Sequence, residues 1–238
     1  MELTSTNNEK VKYWQKLKHK KYRDSEKLFL IEDEHLVNEA LKLGIVREII
    51  TVTNDNFSVD TYYVNEKIMR FLSDQASSTK IIAVCKLLEE KCISGNILLL
   101  DNLQDPGNLG TIIRSAVAFN FDTIVLGSTC VDLYNPKVIR ASEGMLFHIN
   151  IIRKNLIDFI NNLDNDYTLV TTDVNVGKGI KDISFKKIAL IIGNEGNGVS
   201  EEVASKADEK VNINMNKKCE SLNAAVCASI LMYEVNNE

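Results

Sequence analysis

Three polar stretches rich in glycine and asparagine interrupt the apolar runs of the second half of the chain. The first reads Leu100-Asp101-Asn102-Leu103-Gln104-Asp105-Pro106-Gly107-Asn108-Leu109-Gly110 and continues through Thr111-Ile112-Ile113-Arg114-Ser115-Ala116. A strand ending at Asp101 is expected to turn into a helix starting near Asn108, whose side-chain oxygen suits an N-cap. Arg114 lies among Ile112, Ile113, Ala116 and Val117, in a helix expected to be mostly buried. A buried guanidinium needs an anionic partner, either an internal carboxylate or a phosphate.

The second stretch is Ile191-Ile192-Gly193-Asn194-Glu195-Gly196-Asn197-Gly198-Val199-Ser200. It predicts a strand, a glycine turn that lets a ligand approach backbone closely, and a helix capped by Ser200. It is neither GxGxxG nor a P-loop. Glu195, Glu201 and Glu202 disfavour a pyrophosphate, so a neutral or cationic ligand fits better. The third is Val211-Asn212-Ile213-Asn214-Met215-Asn216-Lys217-Lys218-Cys219-Glu220-Ser221-Leu222-Asn223, followed by Ala224-Ala225-Val226-Cys227-Ala228-Ser229. A polar loop leads into a helix whose small residues allow close packing or a chain crossing. Ser221 alone would read as an ordinary N-cap.

The elements that must carry these stretches follow from periodicity. From Asn96 onward, strands are expected at 97–101, 123–126, 147–152, 167–171, 188–193 and 211–214. Helices are expected at 109–119, 136–143, 154–163, 200–207 and 221–235. Alternating strands and helices imply a parallel sheet covered on both faces, with ligands at the carboxyl ends of its strands. Residues 1–90 predict a smaller α/β unit, with helices at 8–20, 34–43 and 66–72 and strands at 28–31, 46–52 and 81–85. Gly44 stops the second helix. Residues 91–96 read as a linker to a second domain at 97–238.

The chain has 238 residues, 45% hydrophobic and 26% charged, with net charge −5. That composition excludes wholesale disorder, and no apolar run reaches the roughly 18–20 residues of a membrane span. The opening residues are polar and lead into lysines, so no secretory leader is expected. Cys85, Cys92, Cys130, Cys219 and Cys227 form no CxxC pair, and His19, His35 and His148 are scattered. Free thiols in a reducing cytoplasm are therefore expected, with no metal site. Charge is unevenly spread. Lys10, Lys12, Lys16, Lys18, Lys20, Lys21 and Arg23 fall in one acid-free segment with Tyr13, Trp14 and Tyr22. This is the composition of a nucleic-acid surface. It is equally that of a solvated helix that buries Val11, Trp14, Leu17 and the Lys18 stem.

Taken together and in order, the three stretches resemble the three motifs of the SpoU/TrmH family of RNA 2′-O-ribose methyltransferases, within the SPOUT class. The resemblance covers residues 96–238. Asn135-Pro136-Lys137-Val138-Ile139-Arg140-Ala141-Ser142-Glu143-Gly144 also resembles the family's segment between its first two motifs. Phe29-Leu30-Ile31-Glu32-Asp33-Glu34-His35-Leu36-Val37 is similar to a stretch of its L30e-like RNA-binding domain, with Asp33 in place of a usual glycine. The resemblance implies an L30e-like domain at 1–90 and a parallel-sheet α/β domain closed by a deep C-terminal trefoil knot, a rare topology. It implies Asn108, Arg114, Glu195, Ser221 and Asn223 as active-site residues, with Arg114 activating the ribose hydroxyl. It implies Gly193, Asn194, Gly196, Ile213 and Leu222 around S-adenosylmethionine. RNA, most readily ribosomal RNA rather than tRNA, is the implied substrate, and a cytoplasmic homodimer the implied state. Asn214 and Lys217 depart from the family's usual proline and glycine. Two rivals remain open at this level: a non-catalytic RNA-binding dimer, and a nucleotide-dependent enzyme using the 193–198 turn as a phosphate cradle.

Overall fold

The computed structural model describes residues 2–74, 79–174 and 176–237. Their contacts divide them into two units. The first runs through Glu89 and includes Asp132–Phe147; the second holds Glu90–Val131 and the chain from His148 onward.

The first unit is built on a five-stranded sheet. Its strands are β1 (Glu2–Leu3), β2 (Leu28–Glu32), β3 (Val46–Thr51), β4 (Asp60–Val64) and β5 (Ile81–Lys86), in the order β1-β4-β3-β5-β2. β5 runs antiparallel to β2 and β3, while β4 is parallel to β1 and β3. The strands β1 and β4 were not anticipated. The segment Asp60-Thr61-Tyr62-Tyr63-Val64 has the β-branched and aromatic content of a strand, but too short an apolar run to announce one.

The helix expected over 8–20 is two helices, α1 (Glu9–Lys16) and α2 (Lys20–Glu26). The carbonyls freed at the break, those of Leu17 and Lys18, accept hydrogen bonds from Arg23 Nη1 at 3.0 and 2.5 Å. Val11, Trp14 and Leu17 are buried against Ile50, Ile68, Leu72 and Ile82. The buried Glu48 carboxylate receives Lys10 Nζ at 2.6 Å and Trp14 Nε1 at 2.8 Å, which offsets its desolvation.

α3 (Glu34–Lys42) and α4 (Glu66–Leu72) lie close to expectation. Gly44, at φ +67°, ends the run that holds α3. Asp33 has φ +93° and caps α3 by accepting the His35 N–H at 2.9 Å. That backbone angle accounts for a glycine being usual at this position.

The segment Asp132–Phe147, assigned from sequence to the second domain, packs in the first unit. It contains α6 (Pro136–Ala141) and a 3₁₀ turn, Met145–Phe147. Three contacts hold it there. The Tyr134 ring packs on Phe29 with centroids 4.6 Å apart and planes tilted by 47°, the Tyr134 hydroxyl accepts the Leu88 N–H at 2.9 Å, and Asp132 pairs with the buried Arg23.

The second unit is a six-stranded, wholly parallel sheet. Its strands are β6 (Asn96–Leu100), β7 (Phe121–Gly127), β8 (Asn150–Lys154), β9 (Tyr167–Thr172), β10 (Lys187–Ile192) and β11 (Glu209–Val211). The spatial order is β11-β9-β10-β6-β7-β8. Ile97, Leu98, Leu99 and Leu100 are all fully buried, as expected of a central strand covered on both faces. The helices are α5 (Pro106–Ala118), α7 (Leu156–Asn161), α8 (Glu201–Ala204) and α9 (Ala224–Asn236). The small residues expected to permit close helix packing do so: α5 lies against α9, and Ser115 Oγ meets Ser229 Oγ at 2.7 Å.

Candidate active site

Parallel pairing of β9, β10 and β6 brings their carboxyl ends side by side, so the loops leaving them emerge together. The Asp101 N–H donates to the Ile192 carbonyl at 2.9 Å, extending the β6–β10 ladder by one bond. The Asp101 carboxylate then accepts the Ser200 N–H at 2.8 Å. Ser200 occupies the N-cap position of α8, but its side chain makes no capping bond.

The glycine turn closes on itself. Asn194 and Gly198 exchange backbone bonds of 2.8 and 2.9 Å. Asn194 Oδ1 accepts the N–H groups of Gly196 and Asn197, and its Nδ2 donates to the Asn102 carbonyl. At Gly193 any Cβ would stand 2.0 Å from the Gly198 carbonyl carbon and 2.2 Å from the Val199 nitrogen, so only glycine fits.

Asp105, not Asn108, caps α5: its carboxylate accepts the Asn108 N–H at 2.8 Å, and Pro106, having no N–H, leaves no unpaired donor at the first helical position. The expected capping role of Asn108 is thus overturned, which frees its side chain. Asn108 Nδ2 donates to Glu195 Oε1 at 3.0 Å, and its Oδ1 accepts from Asn223 Nδ2 at 2.9 Å. Glu195 also accepts the N–H groups of Asp105 at 3.0 Å and Gln104 at 3.2 Å. Burial disfavours its charge, but the donors from Asn108, its own backbone, Asp105 and Gln104 outweigh burial and hold the carboxyl below the usual carboxylate range. A carboxylate so saturated orders three loops and is no base.

Asn223 is the cap of α9, accepting the N–H groups of Ala225 and Val226 at 2.9 and 3.3 Å. The helix therefore starts at Ala224 rather than Ser221, and Ser221 does not cap it. Ser221 instead lines a cavity of about 350 Å³ together with Gly193, Asn194, Glu195, Gly196, Ile213 and Leu222. That volume falls within the roughly 300–1,000 Å³ of small-molecule sites. Ile192, Val199, Leu231 and Cys227 give it apolar walls, and burial pushes the Cys227 thiol up to about 11, so it is neutral. Among the described residues, the charged ones lining the cavity are Asp173 and Glu195, with no cation. Such a pocket suits a ligand with an apolar or aromatic body and a positive charge.

Thr172, Asp173 and Val174 also line the cavity and were missed from the sequence. Their signal was their place at the carboxyl end of a strand neighbouring β10.

Arg114 departs from expectation. It is exposed, and among the described residues its guanidinium makes no hydrogen bond or ion pair. It shares an exposed stripe of α5 with Thr111 and Ala118, whereas Ile112, Ile113 and Ala116 are buried. It stands six positions after Asn108, about 9 Å along the helix axis and a third of a turn around it. The structure thus brings Asn108, Glu195, Asn223 and the Ser221 loop together and leaves Arg114 facing outward.

Of the seven basic residues in the N-terminal segment, three are committed internally. Lys10 meets Glu48, Lys18 meets Asp74, and Arg23 is buried beside Asp132. Lys12, Lys16, Lys20 and Lys21 are exposed, with Lys16 Nζ 5.7 Å from the partly exposed Tyr22 ring. No group of three or more His, Cys, Asp or Glu side chains among the described residues could hold a metal ion, and no described helix is long and apolar enough to cross a membrane.

The profile of the SpoU rRNA methylase family matches residues 95–233, and that of an MRM3-like substrate-binding domain matches residues 8–83. The chain is 38% identical, over 98% of its length and 98% of the relative's, to a Bacillus subtilis protein named 23S rRNA (guanosine(2553)-2′-O)-methyltransferase RlmP. The AdoMet-bound rRNA methyltransferase of Sinorhizobium meliloti superposes with a TM-score of 0.90 at 28% identity, covering 100% of this chain and 97% of that one. The SpoU methyltransferase AviRb of Streptomyces viridochromogenes, at 24% identity and a TM-score of 0.87, shares the fold over 97% of this chain and 98% of its own. A family profile spanning more than half the residues, with a full-length relative behind it, establishes that the chain belongs to the SpoU rRNA methylase family.

Proposed function

We propose that this chain transfers the methyl group of S-adenosylmethionine to a ribose 2′-hydroxyl of ribosomal RNA. The observation that carries the reading is the side-chain relay Asn223–Asn108–Glu195, which ties the three motif loops together at the edge of the cavity. The cavity fits the cofactor chemically: apolar walls and peptide edges for an adenosine, acidic groups and no cation beside a sulfonium. When bound, the cofactor would supply a methyl group on a cationic sulfur, which leaves as a neutral thioether. Gly193, Asn194, Gly196, Ile213 and Leu222 hold it, chiefly by shape and backbone.

The chain's own residues must align a hydroxyl with that carbon and raise its nucleophilicity. Ser221, on the cavity wall, positions the ribose. Arg114 does not serve as a general base. It acts as a fixed cation that lowers the hydroxyl's pKa, so that the hydroxyl proton is lost to solvent as the oxygen takes the methyl, and it holds the neighbouring phosphate. Glu195, Asn108 and Asn223 keep the loops in register.

The outward position of Arg114 supports a homodimer as the working state. Beside the α5–α9 contact, Val226 and Tyr233 leave large apolar area exposed, 47% and 55% of their surfaces. A second copy on this face would cover them and bring Arg114 into an enclosed site. The first unit serves as the L30e-like RNA-binding domain, presenting Lys12, Lys16, Lys20, Lys21 and Tyr22 to the nucleic acid, and residues 91–96 link it to the methyltransferase domain. A knotted C-terminal path is what the family resemblance implies; beside it, the Gly177–Lys178 segment pairs in parallel with Val211, so closely that a Cβ at Gly177 would lie 2.6–2.9 Å from the backbone of Val211 and Asn212. The enzyme acts in the cytoplasm.

The test is methyl transfer from labelled S-adenosylmethionine to an unmodified 23S rRNA transcript, with the product mapped as an alkali-resistant ribose. Arg114→Ala should lose about 100-fold or more in turnover, while calorimetry shows cofactor affinity unchanged. Absence of ribose methylation by the wild type sinks the reading; a normal rate in Arg114→Ala sinks the role of that residue.

A further inference from the structure

The loop between β11 and α9 carries a feature that the site does not use. Asn216 accepts the Lys218 N–H on its side-chain oxygen at 3.0 Å, and its carbonyl accepts the Cys219 N–H at 2.9 Å. The two bonds close a tight turn with Lys217 and Lys218 at its tip, both exposed. Among the other lysines of this unit, Lys178 is paired with Glu209, Lys186 with Asp166 and Lys210 with Asp173, while Lys91, Lys181, Lys187 and Lys206 make no ion pair among the described residues. Lys217 and Lys218 make no ion pair among the described residues.

The turn sits on the rim of the cavity, because Met215 before it and Ser221 after it both line the wall. Lys218 and Ser221 are three positions apart, so their Cα atoms lie within about 11 Å. The chain carries a net charge of −5, and the charged groups lining the cavity are acids. An RNA strand approaching this mouth meets repulsion unless a local cation offsets it.

We propose that Lys217 and Lys218 grip the phosphodiester groups flanking the target ribose, making the catalytic unit itself an RNA-binding element independent of the N-terminal lysines. The inference rests on RNA being the substrate. Each phosphate contact with a single strand contributes about 0.7 to the slope of log K against log salt. Losing two should lower the slope by about 1.4, which, extrapolated from 1 M, is about 25-fold weaker binding at 0.1 M salt.

The experiment compares the wild type, the double variant Lys217→Ser/Lys218→Ser and the charge-retaining Lys217→Arg/Lys218→Arg. An unmodified 23S rRNA transcript is bound across 50–200 mM KCl, and cofactor affinity is measured by calorimetry. The serine pair should lose slope and RNA affinity with cofactor affinity intact, and the arginine pair should restore both. An unchanged slope in the serine pair, or lost cofactor binding, overturns the lysine grip while leaving the function standing. Failure of the wild type to methylate the transcript overturns the function instead.

Discussion

Alanine at Gly193 and alanine at Gly196 should behave oppositely, although both glycines stand in the same turn. At Gly193 the new methyl would sit 2.0–2.3 Å from three backbone atoms of Gly198 and Val199, none of which can rotate away. The opposing backbone must shift, and the Asn194–Gly198 bonds at 2.8 and 2.9 Å stretch with it. Inserting a methyl where there is no room costs about 1–3 kcal/mol, and each lost bond about 0.5–1.5 kcal/mol, for a sum of about 2–6 kcal/mol. A chain of this size loses roughly 2–4 °C per kcal/mol, so the melting temperature should fall by on the order of 10 °C. The turn is also the cavity wall, and expressing even about 1.4 kcal/mol of the distortion there weakens cofactor binding tenfold. At Gly196 the methyl meets only Asn194 Oδ1 at 3.5 Å, an ordinary contact, and stability should change by no more than about 0.5 kcal/mol. Differential scanning calorimetry and titration with S-adenosylmethionine read both quantities. A Gly193→Ala protein that melts within 2 °C of the wild type (about 0.5–1 kcal/mol) and keeps its cofactor affinity would refute the steric argument.

Two further outcomes are expected. Because Glu195 is held below the usual carboxylate range, its bonds stabilise the fold above its unfolded pKa of about 4.3 and are lost as pH falls through the lower folded value. Glu195→Gln should therefore be less stable than the wild type at pH 7, by about 1 kcal/mol given the exposure of the site, with the gap closing below about pH 4; a gap constant from pH 7 to pH 3, read from urea midpoints at each, would contradict the assignment. Val226→Asp places an unpaired charge on the exposed face of α9 and should weaken self-association at least about 100-fold, seen as monomers in light scattering. A dimer of undiminished stability would place the interface elsewhere.

Much of the second unit was readable because its strands are continuous apolar runs and its loops are punctuated by glycine, asparagine and proline. The runs at 97–100 and 188–192 are buried strands, and the carboxyl end of the second lines the candidate cavity. Cap assignments failed where two candidate caps stand close together. Asp105 and Asn108 both suit an N-cap, and Pro106, which favours the first helical turn, was the cue for the former. Asn223 displaced Ser221 at the next helix by the same competition. Burial of Arg114 was inferred from its neighbours in sequence, but residues at i±1 and i±2 point to other faces of a helix, and the relevant neighbours were Thr111 and Ala118. The partnership of Asp132–Phe147 with the first unit had no local signal at all, since it depends on an ion pair spanning 109 positions and a tilted ring contact on β2.

Strand order also dictates when the second sheet can close. β10 lies between β9 and β6, yet the ribosome makes it after both. Until residue 192 emerges, β6, β7 and β8 form a three-strand ribbon whose β6 edge is bare, while β9 has no neighbour on either flank. β10 must then slot between them, with Ile188, Ala189, Leu190 and Ile191 fully buried on arrival. An intermediate with two waiting apolar edges invites wrong pairing between nascent chains. Slow, concentration-sensitive refolding, with yield improved by dilution, is the physical consequence of that late insertion.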